Sequence, residues 1–317
     1  MIMLIDWSGS MADVIGDTIK QVINLAMFCN KAQIPYRVFA FTSQYDKNDD
    51  ATILGQRAHM DKMRSIMSQD NQTGTIFSNR FNLLELFSNR MTMSEFNGMV
   101  RRMLDPRVFW HKGYDLGGTP LNEALGWVYY NLEEYIKQNS IEKLSLITLT
   151  DGEGGYLRGT NKTLSNRIMD YKAYKYVKQK HFIVEDRSKK TYQITDLSGQ
   201  QTETILRMIK DKYDVTLIGF YLARNYRRDL STAVHAYYPT FEGDTTPLIE
   251  EWRKEFREKG FASLKNTGRD EMFLVPVSST KIDDGELDID ADAKASSIAR
   301  DFGKYLNVKR TSRILLN

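Results

Sequence analysis

Four runs in this chain are apolar through most of their length: MIMLI (1–5), YRVFAFT (36–42), KLSLITLT (143–150) and DVTLIGFYL (214–222). A strand with one wet face alternates apolar and polar residues, so continuous runs mark strands covered on both faces, as in a parallel sheet between helices. The intervals are long enough for crossover helices. Over 12–31, Val14, Ile15, Ile19, Val22, Ile23, Ala26 and Met27 recur at helical spacing before Pro35 breaks the pattern. Helices are also expected over 94–104 and 120–138, with a closing helix over 291–305. FNLLELFS (81–88) reads as a strand near an edge and FLVPV (273–277) as the last strand. The fold class that follows is α/β: a doubly wound, mostly parallel six-stranded sheet with helices on both faces.

With 317 residues, 41% of them hydrophobic, the chain can bury a full core as one elaborated domain spanning 1–317. Two stretches interrupt the strand and helix rhythm and are expected to be insertions, at about 43–80 and 154–213. Within the second, KHFIVEDRSKKTYQIT reads as a hairpin turning at Arg187 to Lys189, and a basic tail occupies about 306–317. The net charge of +3, from 44 basic and 41 acidic residues, gives no global field for nucleic acid or membrane. One cysteine, Cys29, excludes an internal disulfide framework and a cysteine-based zinc site. No window approaches the roughly 20 apolar residues that span a bilayer, and the first residues lack the basic n-region expected of a secretory signal. The expected compartment is the cytoplasm, of a bacterial cell or a phage-infected host. The chain begins inside its first core strand, which leaves open a trimmed coding region or a missing preceding region.

In such sheets, ligands bind where the loops at the carboxyl ends of the strands meet the point of strand-order reversal. Three oxygen-bearing segments fall at edges of this kind. D-W-S-G-S follows the first run and supplies Asp6, Ser8 and Ser10; G-G-T-P supplies Thr119; T-D-G supplies Asp151. Two carboxylates and three hydroxyls are hard oxygen ligands, suited to Mg2+ or Mn2+ rather than zinc, and too weakly charged for a tight all-protein calcium cage. Each piece also has a plain structural reading. Ser10 with Asp13, and Thr119 with Pro120, match helix N-terminal caps, and Asp151-Gly152 an ordinary turn. Their joint occurrence at strand ends favours the metal site.

D-x-S-x-S, then a threonine, then an aspartate before glycine resembles the metal-ion-dependent adhesion site of von Willebrand factor A (VWA) domains, with all five signature positions present. The resemblance implies that Ser8, Ser10 and Thr119 bind the ion directly or nearly so, while Asp6 and Asp151 act mostly through water. It also implies five parallel strands plus an antiparallel edge strand, here FNLLELFS. An ion held this way keeps a position open for an incoming carboxylate, so the implied activity is docking a partner's Asp or Glu, with no intrinsic catalysis. LIDWSGSM, GGTPLNEAL and LITLTDGEGG look most like the CobT-type subunit of cobaltochelatase and the CobT-like VWA proteins of large tailed bacteriophages. That implies a MoxR-type AAA+ ATPase as partner and a place as the non-ATPase subunit of a chelatase-like complex.

Other chemistries have weaker support. His59, His111, His181 and His235 are scattered, and no G-x-S-x-G surrounds Ser8, so a metal-dependent hydrolase is the lesser alternative. Gly159 to Thr163 lacks the spacing of a phosphate loop. Lysines and tyrosines interleaved over 171–180 offer a second alternative, single-stranded nucleic acid, but read better as a solvated helix face. Arg224, Arg227 and Arg228 carry the same ambiguity. Trp7 either shields the ion and meets the partner or plugs the end of the sheet.

Overall fold

A computed structural model describes residues 1–43, 76–77, 81–105, 107–108, 113–152, 154–155, 157–159, 181–184, 188–194, 198–223, 227–238, 243–265 and 267–276. The expected closing helix, the basic tail and the 171–180 stretch lie outside these residues.

The first apolar run is β1 (Ile2–Asp6), buried at every position, and the second is β2 (Arg37–Thr42). Between them, helix α1 (Ile15–Lys31) buries Ile15, Thr18, Ile19, Val22, Ile23, Ala26 and Cys29, one stripe of a 3.6-residue period. After the two-residue strand β3 (Ile76–Phe77) comes β4 (Asn82–Ser88), antiparallel to β2. This edge carries a register shift at Val38/Phe39 and an Arg37–Glu85 pair with both contacts at 2.7 Å, two devices that discourage pairing with another chain. Helix α2 (Met93–Leu104) starts in a reciprocal cap: the Thr92 hydroxyl accepts from Glu95 N and the Glu95 carboxylate accepts from Thr92 N.

Helix α3 (Leu121–Asn139) and β5 (Leu144–Thr150) follow, then the short strands β6 (Arg158–Gly159), β7 (His181–Val184) and β8 (Thr191–Ile194). Helix α4 (Ser198–Lys212) leads to β9 (Val215–Ala223), helices α5 (Arg227–Tyr237) and α6 (Thr246–Lys259), then β10 (Ala262–Leu264) and β11 (Glu271–Pro276). The main sheet runs β10-β11-β9-β5-β1-β2-β4. The pairings within β11-β9-β5-β1-β2 are parallel, and both edge strands are antiparallel.

Side chains alternate across this sheet, so helices cover both faces. Met3 and Ile5 of β1 join a cluster with α1 and α2, while Ile2 and Leu4 join another with α3 and α4. A third cluster packs α5 and α6 against β9, β10 and β11. The chain moves from β1 outward through β2 to β4, then returns to β5 on the other side of β1. Strand order therefore reverses between β1 and β5.

The sequence expectations need three corrections. The sheet has seven strands among the described residues, because β10, too short at three residues to show a pattern, adds an antiparallel edge. Helices α5 and α6 were not anticipated. The stretch expected as an insertion at 154–213 ends earlier: α4 buries Ile205, Leu206 and Ile209 against the sheet and serves as the crossover into β9. The hairpin is present as antiparallel β7 and β8. The two insertions also meet, through β3 and β6.

Gly219 interrupts the apolar run of β9 because two side chains lie across it. A Cβ there would fall 2.3 Å from Met272 Sδ and 2.6 Å from Arg269 Cδ. Gly219→Ala is expected to cost at least about 1–3 kcal/mol, the usual range for overpacking, measured as a drop in the denaturation midpoint; an unchanged midpoint would show that Arg269 and Met272 move aside freely. Among the described residues, no helix is long and apolar enough to cross a membrane.

Candidate metal centre

Asp6 is the last residue of β1, and Asp151 directly follows the last residue of β5. These strands are neighbours at the point where strand order reverses, and both acidic residues stand at the carboxyl ends. The sheet thus brings together two residues separated by most of the first half of the chain.

After Asp6 the backbone keeps an extended path for two residues. Trp7 N donates to Phe41 O at 3.0 Å, and Ser8 forms a parallel bridge with Gly117. Gly117 N donates to Trp7 O at 3.0 Å and Gly9 N to Gly117 O at 2.8 Å, so the D-W-S-G-S and G-G-T-P segments are stitched together. Thr119 lies two residues beyond this bridge. Its carbonyl accepts from Gly155 N at 2.8 Å, which ties the same segment to the loop after β5. Gly118 N donates to Ser43 Oγ at 2.6 Å, and a Cβ on Gly118 would stand 2.8 Å from that oxygen. The approach explains the second glycine of G-G-T-P.

Two sets of side-chain contacts form here, and among the described residues the Thr119 side chain makes no hydrogen bond to either. Ser8 Oγ and Ser10 Oγ are 2.9 Å apart, and Ser10 Oγ donates to Asp151 Oδ1 at 2.7 Å. Thr150 Oγ1 donates to Asp6 Oδ2 at 2.6 Å and accepts from Gly152 N at 3.1 Å, clamping the turn that carries Asp151 to the carboxylate of Asp6. Asp6 and Ser8 are buried, Thr119 and Asp151 half-buried, and Ser10 exposed, so the group is closed at its base and open at its rim.

The capping readings of Ser10 and Thr119 are not realised, whereas Asp151 and Gly152 do lie in a turn, held by Thr150. Ser10 sits inside a 3-10 turn (Gly9–Asp13) whose N-cap is Ser8, and no side chain caps it. Helix α3 starts after Pro120, again without a side-chain cap, so Thr119 is not a capping residue. Neither hydroxyl makes the N-cap hydrogen bond that most often explains such residues.

Burial pushes the carboxyl of Asp6 up to about 7, with contacts from Thr150 and Ser8 opposing and the charge of Asp151 adding to the rise. Its Oδ1 is enclosed and has no hydrogen-bond partner. A buried carboxylate oxygen without a partner is costly unless a cation or donor meets it. Among the described residues, no three His, Cys, Asp or Glu side chains gather to hold a metal ion, so any ion here would rest on hydroxyls and the pair Asp6 and Asp151. The donor set is two carboxylates with hydroxyls, all oxygen, which fits Mg2+ or Mn2+.

Sequence reasoning missed Thr150, although the T-D-G motif contains it, because its role depends on a strand partner 144 residues away. It also missed Asn122, which donates to Gly155 O at 2.8 Å and accepts from Thr202 Oγ1 at 2.6 Å, bracing the loop after β5 against α3 and α4. Nothing in the sequence signals that pairing. Trp7 is fully buried and its Nε1 donates to Tyr114 O at 2.8 Å. It plugs the end of the sheet and has no surface to offer a partner.

No family model and no curated protein matches the chain. Among solved structures, it is similar to the pilus adhesin SpaC from Lactobacillus rhamnosus GG in its open conformation, with 17% identity and a TM-score of 0.38 over 81% of this chain and 29% of that one. A second crystal structure of the same adhesin gives 15% identity and a TM-score of 0.36, over 81% of this chain and 30% of the other. The chain spans less than a third of the length of those adhesin chains.

Proposed function

We propose that this chain is a metal-dependent protein-interaction module with the doubly wound, VWA-like layout. Ser8, Ser10 and Thr119, with Asp6 and Asp151, hold Mg2+ or Mn2+ for a partner's Asp or Glu to reach. The observation that carries this reading is the enclosed, partnerless Oδ1 of Asp6 beside a hydroxyl chain that ends on Asp151. A protein core gains nothing from such an oxygen unless something positive meets it.

When bound, a divalent cation supplies an electrophilic point to which an anionic side chain can coordinate. The chain's own residues do the rest. Thr150 orients Asp6, the Ser8–Gly117 bridge sets the spacing between the first two segments, and the exposed rim at Ser10 admits the partner's carboxylate. The resemblance to CobT-type subunits puts a MoxR-type AAA+ ATPase first among partners, with this chain as the non-ATPase member of a chelatase-like or remodelling complex.

Capture of such an ATPase on the immobilised chain is expected in Mg2+ and not in EDTA. Ser8→Ala or Asp151→Ala should reduce it by at least roughly tenfold, a loss already typical when a group one step removed from a metal is deleted. Equal capture in Mg2+ and EDTA would reject the reading.

A further inference from the structure

Asn122 stands within the apolar stripe of α3. Leu121, Ala124, Leu125 and Val128 around it pack into the core, and Asn122 is itself fully buried. A buried amide is costly unless both of its ends are met. Here both are, and the partners fix which end is which. Gly155 O can only accept, so Nδ2 faces it at 2.8 Å, and Oδ1 at the other end accepts from the Thr202 hydroxyl at 2.6 Å.

The two bonds reach different parts of the molecule. Gly155 lies four residues after Asp151, and its N–H donates to Thr119 O at 2.8 Å, so the nitrogen and the carbonyl of this one residue are both held. Thr202 belongs to the buried face of α4, and its neighbour Gln201 accepts from Leu157 N at 2.8 Å through Oε1. Gly154 lets the backbone lie close against the first turn of α3: a Cβ there would stand 3.2 Å from Leu121 Cβ and 3.4 Å from the Asn122 amide.

Asp151 is one residue past the end of β5, beyond the strand's own ladder. Its contact with Ser10, 2.7 Å long, lies at the exposed rim, where water competes for both groups. The position of the carboxylate therefore depends on how the loop is fastened, by Thr150 at its start and by Asn122 and Gln201 further on. Asn122 in turn is held by Thr202, which makes α4 part of the fastening.

We propose that Asn122 and Thr202 are positioning residues of the metal centre. Neither belongs to the set that would hold the ion; they seat the loop after β5 so that Asp151 meets Ser10, and the affinity for a divalent cation depends on how α4 is seated. This rests on the metal-dependent reading above. Linkage makes the dependence reciprocal, so a bound cation tightens the brace it relies on.

The test measures Mn2+ binding to the full chain at a temperature where parent and variants are folded, with free Mn2+ read by electron paramagnetic resonance. Thr202→Val keeps the shape and removes the donor to Asn122, and should weaken Mn2+ binding by roughly tenfold, the lower end for groups that orient metal ligands. Thr202→Ser returns the hydroxyl and should restore most of the affinity. Hydrogen exchange at the Gly155 amide gives a second readout, taken in diamagnetic Mg2+: relative to EDTA it should slow in the parent and much less in Thr202→Val. If Thr202→Val does not fold, Thr202→Ala, a better helix former, carries both measurements. A residue serving only the core would lower the unfolding midpoint of the variant and leave its Mn2+ affinity at the parent's value, which overturns the proposal. It is equally overturned if Thr202→Ser binds as weakly as Thr202→Val, or if Mg2+ leaves exchange at Gly155 unchanged in a parent that binds Mn2+. A parent that binds no Mn2+ overturns the metal-dependent reading itself and this proposal with it, so the two failures are told apart.

Discussion

Truncation of Trp7 to alanine is expected to lower the free energy of unfolding by about 3–5 kcal/mol, the range for removing a large aromatic from a packed core. The side chain is fully buried, and its indole N–H is committed to Tyr114 O. Its backbone joins the end of β2, through Phe41, to the segment that carries Thr119, through Gly117. Losing the ring therefore opens a void beneath three loops and leaves a carbonyl without its donor. Urea denaturation would read the effect as a lower midpoint at unchanged slope. A loss below about 1 kcal/mol would mean that the loops collapse onto the space, since the cost of a cavity depends on how well its walls relax. Trp7→Phe should recover much of the stability, but not the hydrogen bond.

Replacement of Asp6 by asparagine is expected to move stability in opposite directions with and without divalent cation. In Mg2+ the parent should gain about 2.7 kcal/mol at a hundredfold excess over the dissociation constant, as binding to the folded state alone requires. The variant should gain almost nothing. In EDTA the variant should be at least as stable as the parent, because asparagine keeps the shape and the acceptor for Thr150 but removes a charge that burial disfavours. Paired thermal scans of both proteins in the two buffers measure this crossover. A variant that still responds to Mg2+, or one that unfolds far below the parent in EDTA, would mean that Asp6 serves the core and not a cation.

These two residues show how far the sequence could be read. Asp6 was legible because an apolar run that stops at an acid, followed by two serines, is a local pattern at a strand's carboxyl end. Trp7, its neighbour, left two readings open, since solvent exposure is a property of what the rest of the chain places over it. The main strands show the same divide. β1, β2, β5 and β9 announced themselves as continuous apolar runs, whereas β10, with three residues, and α5 and α6, whose polar faces dilute their apolar stripe, did not. Helix α4 was misassigned because the polar stretch before it hid that Ile205, Leu206 and Ile209 face the sheet.

By itself, the sequence determined the α/β class, the places of its principal strands, and the oxygen-bearing residues at three strand or helix edges. Those follow from periodicities and short motifs that need only a few neighbouring residues. Only the tertiary structure decided that β1 and β5 lie side by side, that Thr150 answers to Asp6, that Ser10 reaches Asp151, and that Arg269 lies across Gly219. Each of these pairings joins residues at least 50 positions apart, and their partners are selected by the packing of whole strands and helices, which no local window contains.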